Sequence, residues 1–134
     1  MELIKQVCTL EQAKKLAQLG VVQEGVFSWG CNDEFDFLPP SSWTLFQGTE
    51  WRYKRYSAFT VAELGEMLQV YFYIGSSFYN QIEIEWGHTW HIDGKAQGIV
   101  WSETEAQARA RMLIHLLELK LITASDVSNR LINS

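Results

Sequence analysis

Proline is scarce in this chain of 134 residues: there are two, Pro39 and Pro40, and they are adjacent. With Ser41 and Ser42 they mark one loop, too short to serve as a linker between domains. Cysteine is equally scarce. Cys8 and Cys31 form no C-x-x-C and no zinc-like spacing. Two free thiols are the expectation, although sequence leaves a Cys8–Cys31 disulfide open. Basic residues are outnumbered, 11 Lys and Arg against 16 Asp and Glu, for a net charge of -5 and a pI near 5.1. Tight sequence-independent nucleic-acid binding needs a cationic footprint, so nucleic acid is not an expected partner. A basic partner protein or a small ligand fits the charge better. No apolar run approaches a membrane span, and Met1–Val7 is too short and polar for a signal sequence. The expected location is the cytoplasm. Phosphate-binding loops of the G-x-x-x-x-G-K-S/T and G-x-G-x-x-G kinds are missing, as is a G-x-S-x-G elbow.

What the chain has is apolar and aromatic mass. Hydrophobic residues make up 47% and charged residues 20%, ordinary for a globular chain. This length fits one domain, 1–134, with a core that needs no staples. Six Trp, five Tyr and seven Phe demand either a large core or an exposed aromatic surface.

One helix organises the rest, Ser102 to Lys120. Ser102 with Glu105 reads as a capping box. Ala106, Ala110, Leu113, Leu117 and Leu121 form an apolar stripe, widened by Met112, Leu116 and Leu119. Glu105 and Arg109 are an i,i+4 pair worth about 0.3 kcal/mol. Arg109, Arg111 and His115 read as solvated surface, with a ligand-facing row as the alternative.

Upstream, Thr9 with Gln12 opens a helix over Leu10–Leu19, with Gly20 at its left-handed end. Val21–Trp29 reads as a strand, irregular at Gly25. Trp43–Phe46 and Glu50–Tyr56 read as extended, with a hairpin turn at Gln47-Gly48-Thr49. Thr60 with Glu63 opens a short helix that Gly65 weakens by roughly 1 kcal/mol. Val70–Ile74 is a strand, Gly75-Ser76-Ser77 a turn, and Ser77–Trp86 a strand that Gly87 breaks. Thr89–Ile92, an Asp93-Gly94 turn and Gly98–Trp101 follow. Thr123 caps a terminal helix over Ala124–Ile132. The fold class is therefore α+β: a mainly antiparallel sheet packed on a C-terminal amphipathic helix, with two or three shorter helices.

Three constellations are candidates for function. Trp29, Phe35, Phe37, Trp43 and Phe46 surround the double-proline loop as an aromatic interface; the alternative is a broad core with loops folded over it. Trp51, Arg52, Tyr53, Lys54 and Arg55 alternate aromatic and basic groups, as surfaces that stack bases do. The plainer reading is a strand with an aromatic core face and a cationic outer face. His88, His91 and Asp93, with Glu83 or Glu85, carry metal-ligand chemistry. Strand alternation separates His88 from the other two, and hydrogen-bonded strand residues are the plainer reading.

Three segments together resemble a known group: the opening VCTLEQAKKLAQLGVVQE, AFTVAELGEML at 58–68, and ETEAQARARMLIHLLELKLIT at 103–123. They are similar to a group of small uncharacterised proteins from tailed bacteriophages and prophages. Its members start with such a helix and an "LGV" turn, and end with an "EAxARAxMLIxLLE" helix. The resemblance covers about half the chain and implies a phage or mobile-element product in a bacterial host cell. It implies no activity, cofactor or site residue. The leading expectation is a non-catalytic accessory protein that binds a host or phage protein through an aromatic surface. A homodimer through that surface is an alternative. So is a protein that sequesters a nucleotide-like molecule, and so is a metal-dependent enzyme. No cofactor is expected.

Overall fold

The computed structural model describes residues 2–31, 43–48, 54–68, 74–80, 85–92 and 95–133, with the backbone alone over 74–80, 85–92 and 95–100. The fold is α+β. A 3-10 turn at Leu3–Lys5 leads into α1 (Leu10–Gln18), then β1 (Phe27–Cys31), β2 (Thr44–Gln47), β3 (Lys54–Ser57) and α2 (Val61–Met67). β4 (Ile74–Asn80), β5 (Glu85–Ile92), β6 (Lys95–Ser102), α3 (Glu105–Glu118) and α4 (Ala124–Ile132) complete it.

Every α-helix described opens on a threonine whose hydroxyl accepts the amide three residues on. Thr9 accepts from Gln12 and Thr60 from Glu63, both in full capping boxes. Thr104 accepts from Gln107 and Thr123 from Asp126. Each satisfies an orphan first-turn donor, worth about 1 kcal/mol. The third of these corrects the expected start at Ser102. Ser102 pairs with Trp86 in the β5–β6 ladder, and its hydroxyl donates to the Trp101 carbonyl at 2.7 Å. The sheet holds Ser102 extended, so the cap passes to Thr104.

α1 and α3 end alike. In α1 the Gly20 and Val21 amides donate to the carbonyls of Ala17 and Leu16, with Gly20 at φ 94°. In α3 the Lys120 and Leu121 amides donate to those of Leu117 and Leu116, with Lys120 at φ 60°. Both are Schellman ends. Leu119, expected in the buried stripe, caps α3 and is 51% exposed.

The strands form two three-stranded sheets, β2-β1-β3 and β4-β5-β6, with every described pairing antiparallel. β2 and β3 flank β1 on opposite edges, so they are not the paired arms of the expected hairpin, and Thr49 of its turn lies outside the described residues. Gly48 instead donates its amide to the Val26 carbonyl at 2.8 Å, extending the β1–β2 pairing. The expected turn at 75–77 lies inside β4, and Gly87 pairs with Phe78 and Trp101 inside β5. Glycine and serine there weaken strand propensity without ending it, because the neighbouring strands supply the ladder. The register irregularity falls instead at Trp90/His91, where β6 has one extra residue, Gln97. Val70–Tyr73 and the Asp93-Gly94 pair lie outside the described residues.

α3 contacts all three strands of the second sheet and also α1 and α2. Its buried residues, Ala106, Ala108, Ala110, Met112, Leu113, Leu116 and Leu117, cover more than half of its circumference. This is the arc that a helix between two layers requires. Phe59, Leu16, Leu64 and Met67 fill the core beside it. Residues 6–8 cross residues 59–61, through the Cys8 amide to the Phe59 carbonyl at 2.9 Å and the Val61 amide to Gln6 at 3.2 Å. That crossing joins the entries of α1 and α2.

Candidate functional site

Residues 21–26 decide the shape of the candidate site. They were expected as part of a strand, yet the ladder starts only at Phe27. Side chains take the backbone donors that a ladder would use. The Val22 amide donates to Ser128 Oγ at 2.9 Å, and that of Gly25 to Ser57 Oγ at 3.1 Å. Gln23 Oε1 accepts the Ser57 amide at 2.7 Å. A Cβ at Gly25 would lie 3.1 Å from Ser57 Cβ and 3.3 Å from Phe59 Cδ1, so glycine is what permits the close approach.

The last link is Val26, whose amide donates to Glu63 Oε2 at 3.1 Å while Glu63 Oε1 accepts from Thr60. One carboxylate thus caps α2 and fixes the turn into β1. Beside it the end of α4 comes close, and Glu24, Val26, Glu63, Leu131 and Ile132 line an open groove. Val26 is 50% and Ile132 58% exposed. The sequence carried a signal for this. Ala124, Val127 and Leu131 lie on one stripe of α4, and Ile132 falls one position beyond it.

The expected sites fare differently. Trp29 and Trp43 are buried at 9% and 6% exposure, which corrects their assignment to a surface. The Trp29 indole N–H donates to the Cys8 carbonyl at 3.1 Å. Trp43 meets Tyr56 with centroids 5.7 Å apart, and the Lys14 ammonium lies 4.9 Å over its ring. The segment entering α1 holds the Trp29 indole, and Lys14 of α1 covers that of Trp43. Phe46 is half-buried in β2, and Phe35 and Phe37 lie outside the described residues.

Of the basic–aromatic run, Trp51, Arg52 and Tyr53 lie outside the described residues; Lys54 and Arg55 are half-buried in β3. Arg55 does not stand on an outer face. Its guanidinium donates to Ser28 Oγ at 3.1 Å and to the Gln23 carbonyl at 3.3 Å. Ser28 in turn donates to the Gly48 carbonyl at 2.8 Å. Arg55 therefore braces the 21–25 segment against the sheet.

Two members of the basic row of α3 bond to backbone carbonyls, while His115 is exposed. Arg109 donates to the Val61 carbonyl at 3.0 Å and pairs with Glu105 at 3.1 Å, and Arg111 donates to the Trp101 carbonyl at 2.8 Å.

His88 and His91 both lie in β5, paired with Ser77 and Ile74 on β4. Asp93, Glu83 and the rest of 81–84 lie outside the described residues. Among the described residues no three His, Cys, Asp or Glu side chains are grouped to share a metal ion.

Cys8 and Cys31 are both free thiols and buried. Burial pushes the Cys8 thiol up to about 12, with the Glu63 carboxylate adding in the same direction. A thiol held neutral in this way is a poor nucleophile. Among the described residues no helix is long and apolar enough to cross a membrane.

Comparison with protein-family models, with curated proteins and with solved structures found no match.

Proposed function

We propose that this chain is a non-catalytic accessory protein of a phage or mobile element, and that it works by binding a host or phage protein. The observation that carries the reading is the groove at Glu24, Val26, Glu63, Leu131 and Ile132. Two large apolar side chains stand half exposed there beside two carboxylates, a combination suited to an interface. Arg109, Gln23 and Ser57 are each engaged in an internal hydrogen bond. The test is affinity capture from bacterial lysate with the tagged chain and with Ile132→Asp. A specific protein recovered by the former and lost with the latter supports the reading. Recovery of nothing in replicate captures overturns it.

A second reading, sequestration of an anionic, nucleotide-like molecule, rests on Arg55. Its half-buried guanidinium meets a hydroxyl and a carbonyl, and no carboxylate partner among the described residues. A native-state ligand raises the melting temperature by mass action. Stabilisation by a nucleoside phosphate, abolished in Arg55→Gln, would place this reading first.

A further inference from the structure

Resting on the protein-binding reading above, we propose a specific occupant for the groove. It is a partner segment that sets an aliphatic side chain beside a lysine or arginine. Val26 and Ile132 are two of the four large apolar side chains exposed among the described residues, and they meet in one place. The charged groups lining that place, Glu24 and Glu63, are both carboxylates. The last turn of α4, which supplies Leu131 and Ile132, adds the negative end of a helix dipole. Arg130 stands on the same turn but does not line the groove.

Pre-organisation adds to the argument. Glu63 is fixed by the Thr60 amide at 3.0 Å and the Val26 amide at 3.1 Å. Val26 is fixed again where its carbonyl accepts from Gly48 at 2.8 Å. An apolar contact and a negative charge are therefore held side by side before anything binds, which lowers the ordering cost of association. An incoming aliphatic group covers Val26 and Ile132, and its neighbouring cation meets Glu24 and Glu63. An acidic segment meets repulsion at the same rim.

The test uses three defined probes on the full 15N-labelled chain: the N-acetyl amides of Leu-Lys, Leu-Glu and Ser-Lys, titrated by NMR. Leu-Lys is expected to give saturable shifts at the amides of Glu24, Val26, Glu63 and Ile132. Each other probe should bind about fivefold more weakly, the ratio for roughly 1 kcal/mol. Glu24→Gln and Ile132→Ser alter exposed side chains, and each should weaken Leu-Lys by a similar factor while the remaining spectrum shows the fold intact. Equal or stronger binding of Leu-Glu overturns the charge assignment. No saturable shift at these amides, or shifts indifferent to both variants, overturns the docking site. Shifts that follow protein concentration without peptide overturn it in favour of a second copy of the chain. The capture experiment reads separately. A partner held as firmly by Ile132→Asp as by the parent chain removes the groove and leaves protein binding standing.

Discussion

The Arg109 guanidinium rests against the backbone of Gly65, where a Cβ would overlap its Nη1. Arg109 is held there by the Val61 carbonyl at 3.0 Å and by Glu105 at 3.1 Å. The glycine that weakens α2 as an isolated helix thus leaves room for the Arg109 guanidinium in the place where it bonds to Val61. Gly65→Ala should gain about 1 kcal/mol of helix propensity. It should lose more by displacing a charged donor from its acceptor, about 1.5–3 kcal/mol. The net expectation in urea unfolding is a loss. In an Arg109→Ala background the obstacle is gone, and the same substitution should stabilise by about 1 kcal/mol. An unchanged sign in the two backgrounds would sink the account.

The matched ends of α1 and α3 give a second expectation. Both place one residue at positive φ, Gly20 at 94° and Lys120 at 60°. An L residue there costs roughly 1 kcal/mol that glycine avoids. Lys120→Gly should therefore stabilise by about 0.5–1 kcal/mol, seen as a higher melting temperature. Gly20→Ala should destabilise by at least as much, since its Cβ would also meet Ala124 Cβ at 3.3 Å. A lower melting temperature for Lys120→Gly would mean the lysine side chain contributes something its exposed position does not suggest.

Trp43 separates core from interface. Buried under α1 and against Tyr56, it should cost about 3–5 kcal/mol when cut to alanine. Lys14→Gln, which removes only the ammonium over the ring, should cost about 0.5 kcal/mol. If Trp43→Ala unfolds in urea at the same midpoint as the parent, the burial is wrong and the aromatic-surface reading returns.

These residues also show where sequence was legible. Caps and stripes are local, so α1, α2 and α4 and both threonine capping boxes could be read directly. So could the Glu105–Arg109 pair and the left-handed Gly20. The start of α3 was misplaced by two residues because a ladder partner, Trp86, competes for Ser102, and no local signal reports that. Strand order was hidden for the same reason: whether β2 pairs with β3 or crosses β1 is settled by long-range packing. Residues 21–25 have strand composition, but side chains take their backbone groups: Ser128 and Ser57 accept from the Val22 and Gly25 amides, and Gln23 donates to the Val21 carbonyl. The groove needed three segments to converge, and of these only Ile132, off its helix stripe, announced itself.

The buried thiol gives the last expectation, a dependence on pH. Cys8 belongs to the crossing of residues 6–8 and 59–61, its Sγ 4.0 Å from the Ser57 carbonyl. Burial raises its pKa from 9.0 to about 12. In the folded chain the thiol therefore stays neutral where the unfolded chain has already ionised. Stability from this group is fully present below pH 9, and it falls as pH rises from 9 toward 12. By linkage the loss at pH 10 relative to pH 7 should be on the order of 1 kcal/mol. The informative quantity is the difference in slope between the parent chain and Cys8→Ala. The variant should be less stable at pH 7, because it leaves a small cavity, and its stability should fall less steeply above pH 9. Parallel slopes would show that Cys8 ionises as readily in the folded chain as in the unfolded one. Rapid labelling of Cys8 by a thiol reagent in the native protein would point the same way, toward a crossing that opens and does not seal the core.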